Sequence, residues 1–203
     1  MSKKQSNNIA DYLNCQSILE SQTSLLYGVL SDKVEIPLIK TLLKEIDLDS
    51  KKHSLLLKGV SESINQPKSN QKECAKNNQT LQTINKLLKK IDEIERIFSK
   101  DLLKLNELLI TLESEMSEEY YILVQMKTLE RMTSIINEEY SVDLTKVKSI
   151  FLKIIKDEER HIEILETIKQ MATKKEQTNN SAFVKFQNPD AWFKPKLSSV
   201  IEQ

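Results

Sequence analysis

Glycine and proline are nearly missing from this chain. Two glycines (Gly28, Gly59) and four prolines (Pro37, Pro67, Pro189, Pro195) are all it contains, and neither residue occurs between Pro67 and Pro189. Nothing in that stretch breaks a helix, so long helices can run there uninterrupted. The two cysteines, Cys15 and Cys74, form no motif and are too few for a disulfide framework, which leaves Cys15 as an expected buried thiol and a reducing cytoplasm as the simplest setting. No apolar run approaches the roughly 18 residues that span a bilayer, and the first helical segment lacks a signal peptide's continuous apolar stretch. Neither charge sign is in excess, with 30 acidic and 30 basic residues, so composition offers no case for nucleic acid or an anionic membrane surface as partner. No nucleophilic triad, phosphate loop or zinc ribbon is present.

What is abundant is Lys, Glu, Leu and Ile, in apolar patterns of 3- and 4-residue steps. With 39% hydrophobic and 30% charged residues, the profile is that of a soluble helical protein. Helix 1 is expected over about residues 6 to 30, on a face of Ile9, Leu13, Glu20, Tyr27 and Leu30. Pro37 suits the first turn of helix 2, which runs to about residue 62. Residues 63–79 are polar and without periodicity, a flexible crossover. Helical pattern resumes at Leu81, with a further short helix possible over 80–98, falters near Ser99-Lys100-Asp101 and continues to about Ile136. A turn follows over 137–143, and helix 4 covers about 144–173. The expectation is an all-α, antiparallel four-helix bundle over 1–175 with one long crossover. Residues 176–203, with the only Trp, three of the five Phe, and Pro189 and Pro195, form an extended aromatic tail that packs across the bundle or docks on a partner.

The chain has only two histidines, and both interrupt apolar stripes. His161 lies in Asp157-Glu158-Glu159-Arg160-His161, so Glu158 and His161 share one helical face with Val147, Ile150, Ile154, Leu165 and Ile168. His53 falls among Ile39, Leu43, Ile46, Leu57 and Val60. A carboxylate in an apolar core costs several kcal/mol unless it is paired, protonated or bound to a cation, so metal binding is the first chemistry to weigh. Dinuclear carboxylate bundles take one Glu from each of two helices and Glu-x-x-His from each of the other two, a donor set suited to iron, manganese or zinc. Helix 1 offers Glu20.

With these residues the chain resembles the ferritin-like superfamily, which includes ferritins, bacterioferritins and rubrerythrins, over about residues 6–173. Glu20 and Tyr27 keep the seven-residue spacing of the ferritin first helix, and Glu113 and Tyr120 repeat it in helix 3. The resemblance implies Glu20, His53, Glu113, Glu158 and His161 as ligands, with Tyr27 and Tyr120 hydrogen-bonding to them. It also implies iron or manganese redox chemistry towards dioxygen or peroxide. Helix 2 departs from the pattern: Glu-x-x-His reads Ser50-Lys51-Lys52-His53, so the bridging carboxylate is missing, and Asp49 or a water held by Ser50 would have to fill its place. Hairpin length also sets Glu119 against Glu113 as the fifth ligand, with Glu115 on the Glu119 face, because Glu113 lies 45 residues before Glu158 whereas Glu20 lies 30 before Ser50. Glu20, Glu113 and Glu158 carry three negative charges, so two divalent ions leave one positive charge in excess and one ion leaves one negative. One tight ion and a weaker second are expected. The chain lacks the Cys-x-x-Cys pairs of a self-contained rubrerythrin. The rival expectation is a non-catalytic helical scaffold that has lost its centre and acts through assembly, as a homo-oligomer or with a protein partner on its tail.

Overall fold

The computed structural model describes residues 3–125 and 147–187, which are helical apart from short connections. Six helices are described: α1 Lys3–Lys33, α2 Pro37–Ile64, α3 Gln71–Asn77, α4 Gln79–Asp92, α5 Ser99–Gln125 and α6 Val147–Gln187. Among the described residues the only β pairing is the isolated bridge Val34–Ile97.

The α1–α2 connection is three residues long, and Pro37 opens α2, where its missing N–H costs nothing. α1 lies along α2, with Gly28 at the contact: a Cβ there would come within 3.3 Å of Asp47 Oδ2. Asp47 is itself held by the Ser24 hydroxyl at 2.6 Å and by Lys44. α5 lies along α6, and α4 packs on α1, its apolar stripe of Leu81, Ile84, Leu87 and Ile91 buried in a strongly amphipathic segment. All these faces meet in one core, whose largest fully buried side chains include Tyr27, Tyr120, Phe151, Leu13 and Leu19.

Several boundaries differ from the sequence reading. The 63–79 segment, expected to be a crossover without structure, is folded against α1. The Asp11 carboxylate accepts the backbone N–H groups of Lys68 at 2.6 Å and Ser69 at 2.9 Å. Asn70 and Glu73 then form a reciprocal capping box that starts α3. Cys74 on α3 is joined to Cys15 on α1 by a disulfide, so Cys15 is not a free thiol. The pairing spans 59 residues and leaves no mark in local spacing. The helical pattern resumes at Gln79, Asn78 capping α4 through the Leu81 N–H at 2.7 Å, and breaks over 93–98. That break is tied across the α1–α2 turn by Lys33, which donates to the carbonyls of Asp92 and Ile94. α6 continues to Gln187, so residues 176–187, expected to be extended, are helical: the polar stretch after Lys175 holds no breaker before Pro189. The turn expected at 137–143 and the tail from residue 188 lie outside the described residues. No helix among the described residues is long and apolar enough to cross a membrane.

Candidate metal centre

Four helices each place a carboxylate or an imidazole, or both, at one level of the core. α1 supplies Glu20, and Tyr27 seven residues on; α5 repeats the arrangement with Glu113 and Tyr120. Seven residues is nearly two turns, which returns a side chain to the same face. α2 supplies Ser50 and His53, and α6 supplies Glu158 and His161, each pair three residues apart. Glu20, Ser50, His53, Glu113, Tyr120, Glu158 and His161 are all wholly inaccessible to solvent.

Two ligand triads result. Glu20, His53 and Glu158 present one donor atom each, all within 4.8 Å of one another, and so do Glu113, Glu158 and His161. Glu158 belongs to both. Its Oε1 is 3.0 Å from His53 Nδ1 and its Oε2 is 3.6 Å from His161 Nδ1, while Glu113 Oε2 is 3.1 Å from that same nitrogen. The Tyr120 hydroxyl donates to Glu20 Oε1 at 2.6 Å. Close approach does not mean satisfied hydrogen bonding. Glu20 Oε2, Glu113 Oε1, both oxygens of Glu158, His53 Nδ1, His161 Nε2, Ser50 Oγ and the Tyr27 hydroxyl are buried without an aligned partner. The His53 Nδ1–Glu158 Oε1 pair is close enough for a hydrogen bond but directed wrongly for one. Native cores leave few such groups, and those of Glu20, His53, Glu113, Glu158 and His161 belong to the two triads.

The electrostatics follow from burial. Desolvation pushes the Glu158 carboxyl up, and repulsion from Glu20 and Glu113 adds to this, taking it to about 8. Burial alone would push His53 down, but Glu158 and Glu20 outweigh it and raise His53 to about 10. For His161 burial again acts downward, and Glu113 and Glu158 raise it to about 11. Glu113 shows the reverse: desolvation works upward, yet His161 wins and holds the carboxyl below its ordinary value. Tyr27 and Tyr120 sit well above the ordinary phenol value because of burial and the adjacent carboxylates. Without metal at neutral pH, both imidazoles and Glu158 are therefore protonated.

An outer layer closes the chamber towards solvent. His53 Nε2 lies 3.0 Å from Asp157 Oδ2, and His161 Nε2 lies 3.6 Å from Asp49 Oδ2. Lys52 joins the two aspartates at 2.7 and 2.8 Å, and Arg160 pairs with Asp49 and, at 3.5 Å, with Asp157. Each histidine thus faces an aspartate from the opposite helix pair. Asp157 hydrogen-bonds His53 and fixes its ring as an outer carboxylate does for a metal-bound imidazole, whereas Asp49 stands near His161 without a hydrogen bond. Sequence reasoning missed Asp157, Lys52 and Arg160 in this role. The signal was legible: Asp-x-x-(Lys or Arg)-His occurs at 49–53 and again at 157–161.

Of the expected site residues, the structure brings Glu20, His53, Glu113, Glu158 and His161 together, with Tyr27 and Tyr120 against them. Glu119 is elsewhere, accepting Gln16 Nε2 at 2.6 Å, and Glu115 accepts the Thr80 hydroxyl at 2.7 Å. Asp49 faces His161 from outside the triads. Comparison with protein-family models, curated proteins and solved structures finds no match. The site therefore stands on its own chemistry: buried Glu and His groups that could hold a metal ion.

Proposed function

We propose that this chain is a ferritin-like four-helix metalloprotein that binds iron or manganese between its helix pairs and turns over dioxygen or a peroxide. The carrying observation is the chamber of buried carboxylate and imidazole atoms without aligned hydrogen-bond partners, arranged as two triads that share Glu158. Three carboxylates and two imidazoles are a borderline-hard donor set, which suits iron and manganese and accepts zinc. Glu20, His53 and Glu158 would hold one ion, and Glu113, Glu158 and His161 a second. A redox-active ion bound there would supply the electrons that dioxygen or a peroxide takes up.

The chain's own residues do the rest. Asp157 orients the His53 imidazole by its hydrogen bond and raises its basicity, and Asp49 stands 3.6 Å from His161 Nε2. Tyr120 holds one oxygen of Glu20 and leaves the other free for an ion. The closed core excludes bulk water and strengthens every charge interaction inside it. Ser50 stands where the resemblance would place a fourth carboxylate. Its buried, unpartnered hydroxyl can hold a water but adds no charge, so fewer than two tightly held ions per chain are expected.

Ser50 also supports a second reading, a helical scaffold that keeps the chamber without the metal. The expectation of a cytoplasmic location rested on unpaired thiols, and the Cys15–Cys74 disulfide withdraws that ground. Elemental analysis of protein purified without chelators decides between the readings. Iron or manganese near one per chain, lost in Glu158→Ala, supports the metalloprotein. Protein that carries no iron, manganese or zinc and takes up none on titration is the scaffold.

A further inference from the structure

We propose that the Cys15–Cys74 disulfide is a thiol-exchange site whose cleft receives a low-molecular-weight thiol bearing both an ammonium and a carboxylate group. The inference stands apart from the metal centre and does not depend on it. Both cysteines line a surface cleft of about 640 Å³, a size suited to a small ligand, together with Asp11, Tyr12, Gln16, Lys68, Lys76 and Glu119. A disulfide acting only as a staple has no need of an adjoining cavity.

The lining has a direction. At the α1–α5 side Gln16 is 2% exposed, and its Nε2 is used on Glu119 at 2.6 Å. Its Oε1 is closed to solvent, so the acceptor that this end of the cleft offers to a ligand N–H is the half-buried Glu119 carboxylate. At the α3 side lie Lys68 and Lys76, neither in a salt bridge among the described residues. The neighbouring acids are already engaged: Asp11 accepts two backbone N–H groups and Glu73 completes its capping box. A zwitterionic thiol satisfies both ends, its ammonium at Glu119 and its carboxylate at the lysines. That pose holds its sulfur in the cleft whose wall contains the disulfide.

The exchange closes with two equivalents of thiol. The first thiolate attacks one cysteine sulfur, the S–S bond breaks, and a mixed disulfide forms as the other cysteine leaves as thiolate. A second thiolate attacks the mixed disulfide on the small-molecule sulfur, releasing the oxidised small disulfide and the second cysteine thiolate. The two protons of the incoming thiols end on Cys15 and Cys74. The disulfide is reduced by two electrons, and two small thiols are oxidised.

The test uses the oxidised, folded full chain with four probes: cysteine, cysteamine (ammonium only), 3-mercaptopropionate (carboxylate only) and 2-mercaptoethanol. Newly freed cysteines are counted by alkylation and mass spectrometry, circular dichroism confirms that the chain stays folded, and each rate is divided by that thiol's rate on a small dialkyl disulfide. The normalised rate for cysteine should exceed that for 2-mercaptoethanol by about tenfold and those for the two singly charged thiols by about threefold, as two weak charge contacts allow together and singly. The double variant Lys68→Gln, Lys76→Gln should bring cysteine down to the cysteamine value. Reduction that waits for unfolding in denaturant overturns the proposal, as do normalised rates that agree across the four thiols.

Discussion

Filling the metal centre should expel protons, and the number follows from the groups that face it. In the metal-free chain His53 and His161 stay protonated up to about pH 10 and 11, and Glu158 up to about pH 8. A metal ligand must be a carboxylate or a neutral imidazole. An ion in the Glu113–Glu158–His161 triad at pH 7 therefore displaces two protons, one from Glu158 and one from His161. A second ion at Glu20 and His53 displaces one more. Two protons per ion mean that affinity rises about a hundredfold per pH unit below pH 8, and about tenfold per unit from there to pH 11, where only His161 still has a proton to lose. Stability of the metal-free chain should run the other way. Both histidines have raised values, so their contribution is present below pH 6.5 and is lost as pH rises through 10 to 11. The raised Glu158 value acts in the same sense between pH 4.5 and 8. The assay is calorimetric titration of chelator-stripped protein with Mn(II) at pH 7, in buffers of different ionisation enthalpy, whose slope counts protons. Fewer than one proton released per ion would show that the triads are not the binding groups.

Metal at about a hundred times its dissociation constant should add about 2.7 kcal/mol to stability, a rise in melting temperature of roughly 5–10 °C for a domain of this size. Glu158→Ala should abolish that rise. In the absence of metal and above about pH 8, where Glu158 is ionised, the same variant should be no less stable than the parent, as thermal melts in chelator will show, because the substitution removes a carboxylate that burial and two like charges disfavour. Ser50→Glu should move the titrated stoichiometry towards two ions per chain, and an unchanged endpoint would remove Ser50 as the cause of any deficit. Asp157→Asn should weaken the ion at His53 by about ten- to a hundredfold through lost orientation of the ring, measured by competition with a chromophoric chelator. Reducing Cys15–Cys74 should lower unfolding free energy by about 4 kcal/mol, the loop-closure value for a span of this length, read from denaturation with and without reductant.

What the sequence disclosed, and what it hid, divides along a physical line. Helical periodicity exposed each residue that shares a stripe with core side chains. Glu20, His53, Glu158 and His161 could be grouped because each interrupts an apolar stripe at 3-, 4- or 7-residue steps. Choosing between Glu113 and Glu119 by hairpin length was a weaker argument, because loop length says nothing about which way a side chain faces. Face decides it: Glu113, Met116 and Tyr120 lie on one buried stripe, whereas Glu119 is turned about 100° from Tyr120 and meets Gln16 instead. The disulfide was hidden for a different reason. It joins a periodic helix to a segment without periodicity, so neither cysteine's surroundings point to the other. The capping box that places Cys74 was legible as Asn70-x-x-Glu73, and reading it would have turned the crossover into a helix.

The contacts at the centre also bear on how the helix pairs stay together. α1 packs extensively on α2, and α5 on α6, whereas contact between the two pairs is sparser. Many polar contacts of the site cross between them: Tyr120 to Glu20, His53 to Asp157 and Glu158, Lys52 to Asp157, and Arg160 to Asp49. Glu158 lies on one pair yet belongs to a triad whose other members, Glu20 and His53, lie on the other. An ion held there would link α1 and α2 to α6 directly, and deleting Glu158 would remove that link. Amide exchange should therefore slow on metal addition at the core faces of all four long helices. Protection confined to α5 and α6 would show that only the Glu113–Glu158–His161 triad fills.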